Sequence, residues 1–201
     1  MMKKRLVAIS MLFFITSCEP IPYTHLGNDY VFSSNNVSLS MIFNTGNDYI
    51  NRIYPKVVDY RSNESYIIAK QIANKDAIIS ILASDISQRF NDYNYYMKNP
   101  EKFDSTFQGK RKRFIIADSL NYYYFLKFKE AAKQYSDSEA AHIIAGDIVD
   151  RKGTAFNKMI ENKVSYWVLD LHNDSLMGPL NAEDFRKWVD GNPIPESLKL
   201  P

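Results

Sequence analysis

The chain has 201 residues, of which 45% are hydrophobic and 24% are charged, with 25 Lys and Arg residues against 23 Asp and Glu residues. This length is usual for one domain, and the near balance of charge gives no support to a nucleic-acid partner. Cys18 is the only Cys in the chain, so no intramolecular disulfide can form and the fold must be held together by packing.

The N-terminus carries the pattern of an export signal. Three basic residues at 3–5 precede an apolar run at 6–15. The run is too short to cross a bilayer core of roughly 30 Å, which needs about 20 apolar residues, but it fits the apolar region of a secretory signal. Residues 15–18 read Ile-Thr-Ser-Cys. A branched apolar residue, two small residues and a Cys in this order resemble the bacterial lipobox.

This resemblance implies that the chain is cut between Ser17 and Cys18 and that the Cys18 thiol receives a diacylglyceryl group. Residues 1–17 are then a signal peptide, and the mature protein is anchored to a membrane of the bacterial cell envelope through the lipid on Cys18. The alternative is an ordinary signal peptide that ends in a chance Cys. Lipidation is favoured because an exported protein with one unpaired Cys needs a reason for it.

Removal of the signal changes the charge of the protein. Residues 1–17 contain three basic and no acidic residues, so the mature chain has 22 basic and 23 acidic residues and a net charge of −1. The basic pI therefore belongs to the precursor alone. We expect no nucleic-acid partner.

The mature chain should consist of a short lipidated tether at 18–27 and a single α+β domain at 28–201. The tether is expected because residues 19–27 contain two prolines and a glycine and show no periodicity; packing as an edge segment is the alternative. Alternating apolar residues from Val37 to Met41 predict a half-buried strand. Two extended stretches at 53–60 and 65–73 flank a polar loop and predict an antiparallel hairpin.

The pattern then changes to helical spacing. A helix is predicted over 76–96 with Asn74 as its N-cap, and a second over 110–134. A third begins at a capping box formed by Ser136 and Glu139, with a break expected near Gly153.

The C-terminal part returns to strands. A strand at 166–171, a turn and a return strand at 175–177 form a second hairpin, which Gly178 and Pro179 should end; Asn181 then caps a short helix at 182–189. A lone hairpin is marginal in water, so the two hairpins should share one sheet. The predicted fold is α+β: an antiparallel sheet from N- and C-terminal strands, with a helical insertion at about 75–163 packed on it.

Two stretches carry a further resemblance. One is IYPKVVDY at 53–60, followed by YIIAKQ at 66–71; the other is YWVLD at 166–170, followed by GPLNAEDF at 178–185. Together with the lipobox, they resemble a family of small bacterial lipoproteins known only as a domain of unknown function. The resemblance implies envelope placement and one structural unit for both hairpins, but no catalytic residue.

The aromatic residues give the candidate binding surface. Neighbouring residues on a helix diverge by about 100°, so consecutive aromatics cannot all enter one core. Exposed aromatics are typical of protein interfaces and glycan platforms. The alternative is core packing with the phenol tips in water. The candidate residues are Tyr95, Tyr96, Tyr122, Tyr123 and Tyr124.

Other clusters give weaker signals. Glu139 and His142 have the spacing of two metal ligands on a helix, but an exposed polar pair is the favoured interpretation. The basic run at 110–113 fits a solvated helix start, with contact to anionic lipid as the alternative. No nucleophile motif or phosphate loop occurs, so we expect no catalytic residue, metal or cofactor.

Three functional hypotheses follow. The first is a non-enzymatic, lipid-anchored binding or accessory module for an envelope protein or a glycan. The second is an envelope hydrolase, which would need converging acids such as Asp118, Asp147 and Asp150. The third is an immunity-type inhibitor, against which the near-neutral mature charge speaks.

Overall fold

A computed structural model describes residues 23–34, 39–46, 51–98, 126–192 and 194–200, with the backbone alone at 92–98. Its strands are β1 (Tyr23–Gly27), β2 (Tyr30–Ser33), β3 (Met41–Asn44), β4 (Val57–Ser62), β5 (Tyr66–Ile72), β6 (Val164–Asp170) and β7 (Ser175–Leu180). Its helices are α1 (Lys75–Lys98), α2 (Asp137–Asp150), α3 (Ala155–Asn162) and α4 (Ala182–Gly191), with a 3-10 helix at Glu196–Leu198. Residues 126–131 form a further helical segment. The α+β fold class is confirmed.

The main sheet has the strand order β4-β5-β6-β7 and is antiparallel throughout. Ala69 of β5 lies opposite Trp167 of β6. The N-terminal and C-terminal hairpins therefore share one sheet, as predicted, and α1, α2 and α3 come between them in sequence.

A second sheet, with the order β1-β2-β3, was not predicted as a separate unit. The segment before β4 joins it to the main sheet. Ile53 exchanges two backbone hydrogen bonds with Ile42 of β3, at 3.1 and 2.9 Å, and Lys56 exchanges two with Ile72 of β5, at 3.0 and 2.9 Å. The two sheets are thus connected by backbone hydrogen bonds as well as by packing.

Two strand boundaries differ from the predictions. From Tyr23 onwards, the stretch predicted as tether is the strand β1, because it pairs with β2 and places Leu26 in the core with 7% of its surface exposed. Strand β7 does not end at Gly178 and Pro179 but continues to Leu180. Proline is tolerated there because β7 is an edge strand, where one side of the backbone needs no partner.

The predicted helix caps are present. The Asn74 side chain accepts a hydrogen bond from the Ala77 amide at 3.2 Å, ahead of α1. Ser136 and Glu139 form the reciprocal capping box of α2. The break near Gly153 separates α2 from α3. Of the helix predicted over 110–134, residues 126–131 are helical and 110–125 lie outside the described residues.

The inner face of the main sheet belongs to one hydrophobic core, which also contains residues of α1, α2, α3 and the three-stranded sheet. Ile67, Ala69 and Leu169 lie on this face, each with none of its surface exposed. Because side chains alternate along a strand, Tyr66 and Ile68 face the other side of the sheet. That outer face is partly covered by α4, so the sheet has helices on both sides.

A buried polar residue lies on the inner face, near one end of the main sheet. Gln71 is fully buried; its amide nitrogen donates to the Tyr54 carbonyl at 2.6 Å, and its oxygen accepts from the Trp167 indole N–H at 2.7 Å. Both ends of the amide are therefore satisfied, as burial of a polar group requires. The network ties β5 and β6 to the segment before β4.

Candidate functional site

The residues predicted as sites fall largely beyond the described part of the chain. Ser17 and Cys18 lie outside it, as do Asp118, the basic run at 110–113 and the three tyrosines at 122–124. Tyr95 and Tyr96 lie in α1, where only the backbone is described. Lipidation at Cys18 and the tyrosine surface therefore stay predictions.

The acids of the hydrolase hypothesis can be followed in part. Asp147 is paired with Lys127 at 3.2 Å, and Asp150 is paired with Lys75 at 2.6 Å. Both carboxylates are at least half exposed, at 50% and 62%. Each carboxylate thus has its own lysine partner in a solvated setting, and the two do not form the converging pair of acids that the hydrolase hypothesis needs.

Glu139 and His142 do not act as a pair. The Glu139 carboxylate accepts hydrogen bonds from the Ser136 amide at 3.0 Å and the Ser136 hydroxyl at 2.7 Å, which lower its pKa. His142 Nδ1 lies 2.9 Å from the Ser138 carbonyl oxygen. In the part of the chain that the structure describes, no group of three or more His, Cys, Asp or Glu residues could hold a metal ion.

An aromatic cluster occupies the outer face of the main sheet. We call its four residues, Tyr66, Tyr166, Phe185 and Trp188, the aromatic surface. Tyr166 of β6 and Phe185 of α4 stack with their centroids 4.6 Å apart and their planes at 6°. Trp188 lies 6.3 Å from Phe185, nearly parallel to it, and 6.2 Å from Tyr66, edge to face. All four side chains are partly exposed.

Helix α4 covers the outer face of the main sheet only in part, which leaves the aromatic surface partly exposed. Its N-cap is Asn181, whose side chain accepts from the Asp184 amide at 2.9 Å, so its start is well defined. None of its residues is fully buried. Phe185 and Trp188, three residues apart, meet the sheet along one stripe of the helix. The neighbouring Met177 of β7, on the same side of the sheet as Val168, is 45% exposed. The arrangement leaves an apolar, aromatic-rich patch in contact with water.

Sequence reasoning missed this surface, although part of its signal was visible. The spacing of Phe185 and Trp188 indicates an amphipathic helix. Nothing local, however, indicates that this stripe meets Tyr66 and Tyr166, which come from two other parts of the chain. The sequence pattern instead predicted a binding surface at runs of consecutive tyrosines.

A second arrangement lies at the turns of the main sheet. His172 Nε2, in the turn between β6 and β7, lies 3.1 Å from the hydroxyl of Ser65, which precedes β5. The two residues are 107 positions apart in sequence. A serine hydroxyl within hydrogen-bond reach of an imidazole is the first half of an activated-nucleophile pair.

Among the residues that the structure describes, no acid completes such a group. The Asp170 carboxylate accepts from the His172 amide at 2.8 Å and from the Asn173 side chain at 2.8 Å. These bonds, led by that of the His172 amide, lower the pKa of Asp170. They order the turn but do not orient the imidazole ring, as a catalytic triad requires.

The same end of the molecule contains a structural tyrosine. The Tyr30 hydroxyl donates to the Asp174 carboxylate at 2.5 Å, and the side-chain amide of Asn51 donates to the Asp174 backbone carbonyl at 2.6 Å. Burial, and then the bond to Asp174, raise the pKa of Tyr30 to about 12. These contacts join β2, the segment before β4 and the β6–β7 turn.

Comparison with known protein families, with characterised proteins and with solved structures found no significant match. Among the residues that the structure describes, no helix is both long enough and apolar enough to cross a membrane.

Proposed function

We propose that this protein is a non-enzymatic, lipid-anchored protein of the bacterial cell envelope that binds another protein through its aromatic surface. The partly exposed cluster of Tyr66, Tyr166, Phe185 and Trp188 is the observation that carries the binding role. The lipobox-like residues 15–18 and the resemblance to a lipoprotein family support the anchor.

The anchor has a direct test. Metabolic labelling with a fatty acid should mark the wild-type protein, because the Cys18 thiol is the proposed attachment point. Cys18→Ala should take up no label and should accumulate as the uncut precursor. Equal labelling of both proteins would disprove the anchor.

The composition of the aromatic surface favours a protein partner over a glycan. Protein interfaces are enriched in Tyr, Trp, Phe, Met and Arg, and their binding energy is concentrated in a few such residues. Met177 is exposed beside the four rings, and Arg186 is exposed on the helix that carries two of them. Moreover, the faces of Tyr166 and Phe185 already stack on each other, which leaves less open ring face for a sugar.

Photo-crosslinking in cells tests the partner. A photoreactive residue in place of Met177, which is 45% exposed, should give one discrete protein adduct; the same residue in place of Ile143 on α2, which is 43% exposed, should not. Trp188→Ala should remove the Met177 adduct. Lys187→Ala, which breaks only an exposed ion pair with Glu183, should keep it.

Three results would contradict the proposal: equal adducts at both positions, an adduct that does not depend on Trp188, or a polysaccharide adduct in place of a protein. A polysaccharide adduct would show that the aromatic surface binds a glycan.

The contact between Ser65 and His172 defines a second function to be tested, ester or amide hydrolysis. An activated ester is the suitable probe because it needs little specific binding. If Ser65 were a nucleophile, Ser65→Ala and His172→Ala would both abolish hydrolysis by the purified protein. We expect no hydrolysis that depends on Ser65, since Asp170 does not orient the imidazole.

A further inference from the structure

The three-stranded sheet lies very close in sequence to the proposed lipid. Four residues separate Cys18 from Tyr23, where β1 begins. A fully extended chain spans at most about 3.6 Å per residue, so the start of β1 lies within roughly 18 Å of the lipidated Cys. The proposal that follows rests on lipidation of Cys18.

The strands of this sheet contain no charged residue. Tyr23–Gly27, Tyr30–Ser33 and Met41–Asn44 include no Asp, Glu, Lys or Arg, although 24% of the whole chain is charged. A surface without charges can approach the apolar side of a bilayer interface without the cost of removing ions from water.

The register separates the two faces of the sheet. Phe32 and Ile42 are partners across β2 and β3, and both pack in the hydrophobic core. The residues that alternate with them face outward. These are Tyr23, which lies opposite Ser33 and, one strand further, Met41; and His25, which lies opposite Val31 and then Phe43. Ser33 and Val31 of the central strand are buried, so the accessible part of this face is formed by the outward side chains of β1 and β3.

The outward side carries an aromatic pair near the anchor. The rings of Tyr23 and Phe43 meet edge to face, with their centroids 5.8 Å apart. Tyr23 is 45% exposed, and Leu39, just ahead of β3, is 39% exposed. Tyrosine is enriched where proteins meet the headgroup region of a membrane, because its ring is apolar and its hydroxyl is polar.

We propose that the outward face of β1, β2 and β3 rests on the headgroup region of the membrane that holds the lipid. A lipid anchor with a second membrane contact holds a protein more firmly and in a more defined orientation than the lipid alone. The occupant of this face is the lipid surface, because the short connection to Cys18 keeps the face beside it.

This orientation leaves the aromatic surface accessible. Phe32, on the core side of the three-stranded sheet, contacts Tyr60 on the core side of the main sheet, with ring centroids 4.6 Å apart. Tyr60 lies opposite Ala69, which faces the core, whereas Tyr66 and Tyr166 face the other side of the main sheet. The main sheet therefore lies between the proposed membrane contact and the proposed protein partner.

Lipid-dependent quenching tests the orientation on the full-length lipidated protein in phosphatidylcholine vesicles. Because Cys18 is the only native Cys and its thiol would carry the lipid, one introduced Cys can be labelled selectively. A fluorophore on His25→Cys should be quenched by a nitroxide on the lipid headgroups several-fold more strongly than one on Arg186→Cys or Asn173→Cys. All three side chains are exposed, so labelling should leave the hydrophobic core intact.

A charge on the proposed contact provides the matched variant. Tyr23→Glu should reduce the quenching at position 25 several-fold, whereas Lys187→Glu on α4 should leave it unchanged. Equal quenching at positions 25, 173 and 186 would overturn the proposal. A label at 25 that is shielded from water-soluble quencher but not quenched by the lipid nitroxide would overturn it too, since another copy or protein would then cover the face.

Fatty-acid labelling separates this inference from the anchor on which it rests. If Cys18→Ala takes up as much labelled fatty acid as the wild type does, the lipid anchor itself is wrong. If only the wild type is labelled and position 25 is not quenched, the anchor stands and the membrane contact of the sheet is wrong.

Discussion

Gly178 of β7 lies directly against the Trp167 indole of β6. A Cβ atom at position 178 would be 2.6 Å from Cε3 of Trp167 and 2.9 Å from the Tyr166 carbonyl oxygen. Its φ of +138° is a conformation that only glycine adopts readily. The absence of a side chain at Gly178 thus allows the edge strand to pass the buried tryptophan.

Gly178→Ala should therefore be strongly destabilising. The new methyl group would overlap the indole and one carbonyl, and the backbone would be strained; overpacking and strain each cost about 1–3 kcal/mol. We expect a loss of about 2–5 kcal/mol in the free energy of unfolding, measured by denaturant titration.

Gly146→Ala is the matched control. Nothing lies within 4 Å of a Cβ at position 146, which is inside α2. There alanine should stabilise the protein by about 0.5–1 kcal/mol, because glycine is a poor helix former. A Gly178→Ala protein as stable as the wild type would show that β7 does not pass this close to Trp167.

The two tryptophans should differ in their effect on stability. Trp167 is 4% exposed and donates its indole N–H to the buried Gln71, whereas Trp188 is only partly buried on a peripheral helix. Trp167→Ala should cost about 3–5 kcal/mol, as for other buried aromatics, and Trp188→Ala clearly less. Denaturant midpoints would check the order. A larger loss for Trp188→Ala would place the C-terminal hairpin at the periphery and contradict the shared sheet.

The shared sheet could be predicted because its signals are local. The apolar run from Tyr66 to Ala69 beside a polar loop, and the turn after Asp170, mark two hairpins that cannot be stable alone. Strand β1 gave no such signal: Leu26 is its one buried residue, and pairing with β2 rather than periodicity makes it a strand. The extension of β7 through Pro179 was missed because edge position is a property of the whole sheet.

The candidate surfaces depend on contacts between distant parts of the chain. The half of the aromatic surface on α4 could be recognised from helical spacing, but its stacking partner Tyr166 belongs to the preceding hairpin. Ser65 and His172 meet only because β5 and β6 are neighbours, which brings the start of one strand to the end of the other. Which residues meet across neighbouring strands depends on the register of those strands, and the sequence pattern does not specify that register closely enough.

The capping box of α2 predicts a pH-dependent stability. The bonds from Ser136 lower the pKa of Glu139, so the carboxylate contributes stability above its unfolded-state pKa of 4.5, and this contribution is lost as the pH falls through the folded pKa. Ser136→Ala should cost about 1 kcal/mol near neutral pH. The difference between the wild type and Ser136→Ala should shrink in acid, as denaturant midpoints would show. If the difference in stability between the two proteins stays constant from neutral pH into acid, Glu139 makes no pH-dependent contribution.

Two tyrosines with raised pKa values predict how stability changes in alkali. Burial raises the pKa of Tyr54 to about 12, and burial with the bond to Asp174 does the same for Tyr30. A raised folded pKa means that the folded state keeps a proton that the unfolded state loses. The stabilising contribution is therefore fully present below pH 10.0 and is lost as the pH rises towards about 12.

Ultraviolet difference absorbance of phenolate formation tests this behaviour. In the folded protein, Tyr30 and Tyr54 should ionise well above pH 10.0, the ordinary pKa of a tyrosine. Tyr54→Phe should remove one late-titrating group and flatten the fall in stability between pH 10 and pH 12. Tyr30→Phe should likewise remove one late-titrating group. It should also lower the free energy of unfolding at neutral pH, because the Asp174 carboxylate loses a hydrogen bond donated by a buried hydroxyl. If all tyrosines of the wild type ionise together near pH 10.0 while the protein is still folded, neither hydroxyl is held as the structure places it.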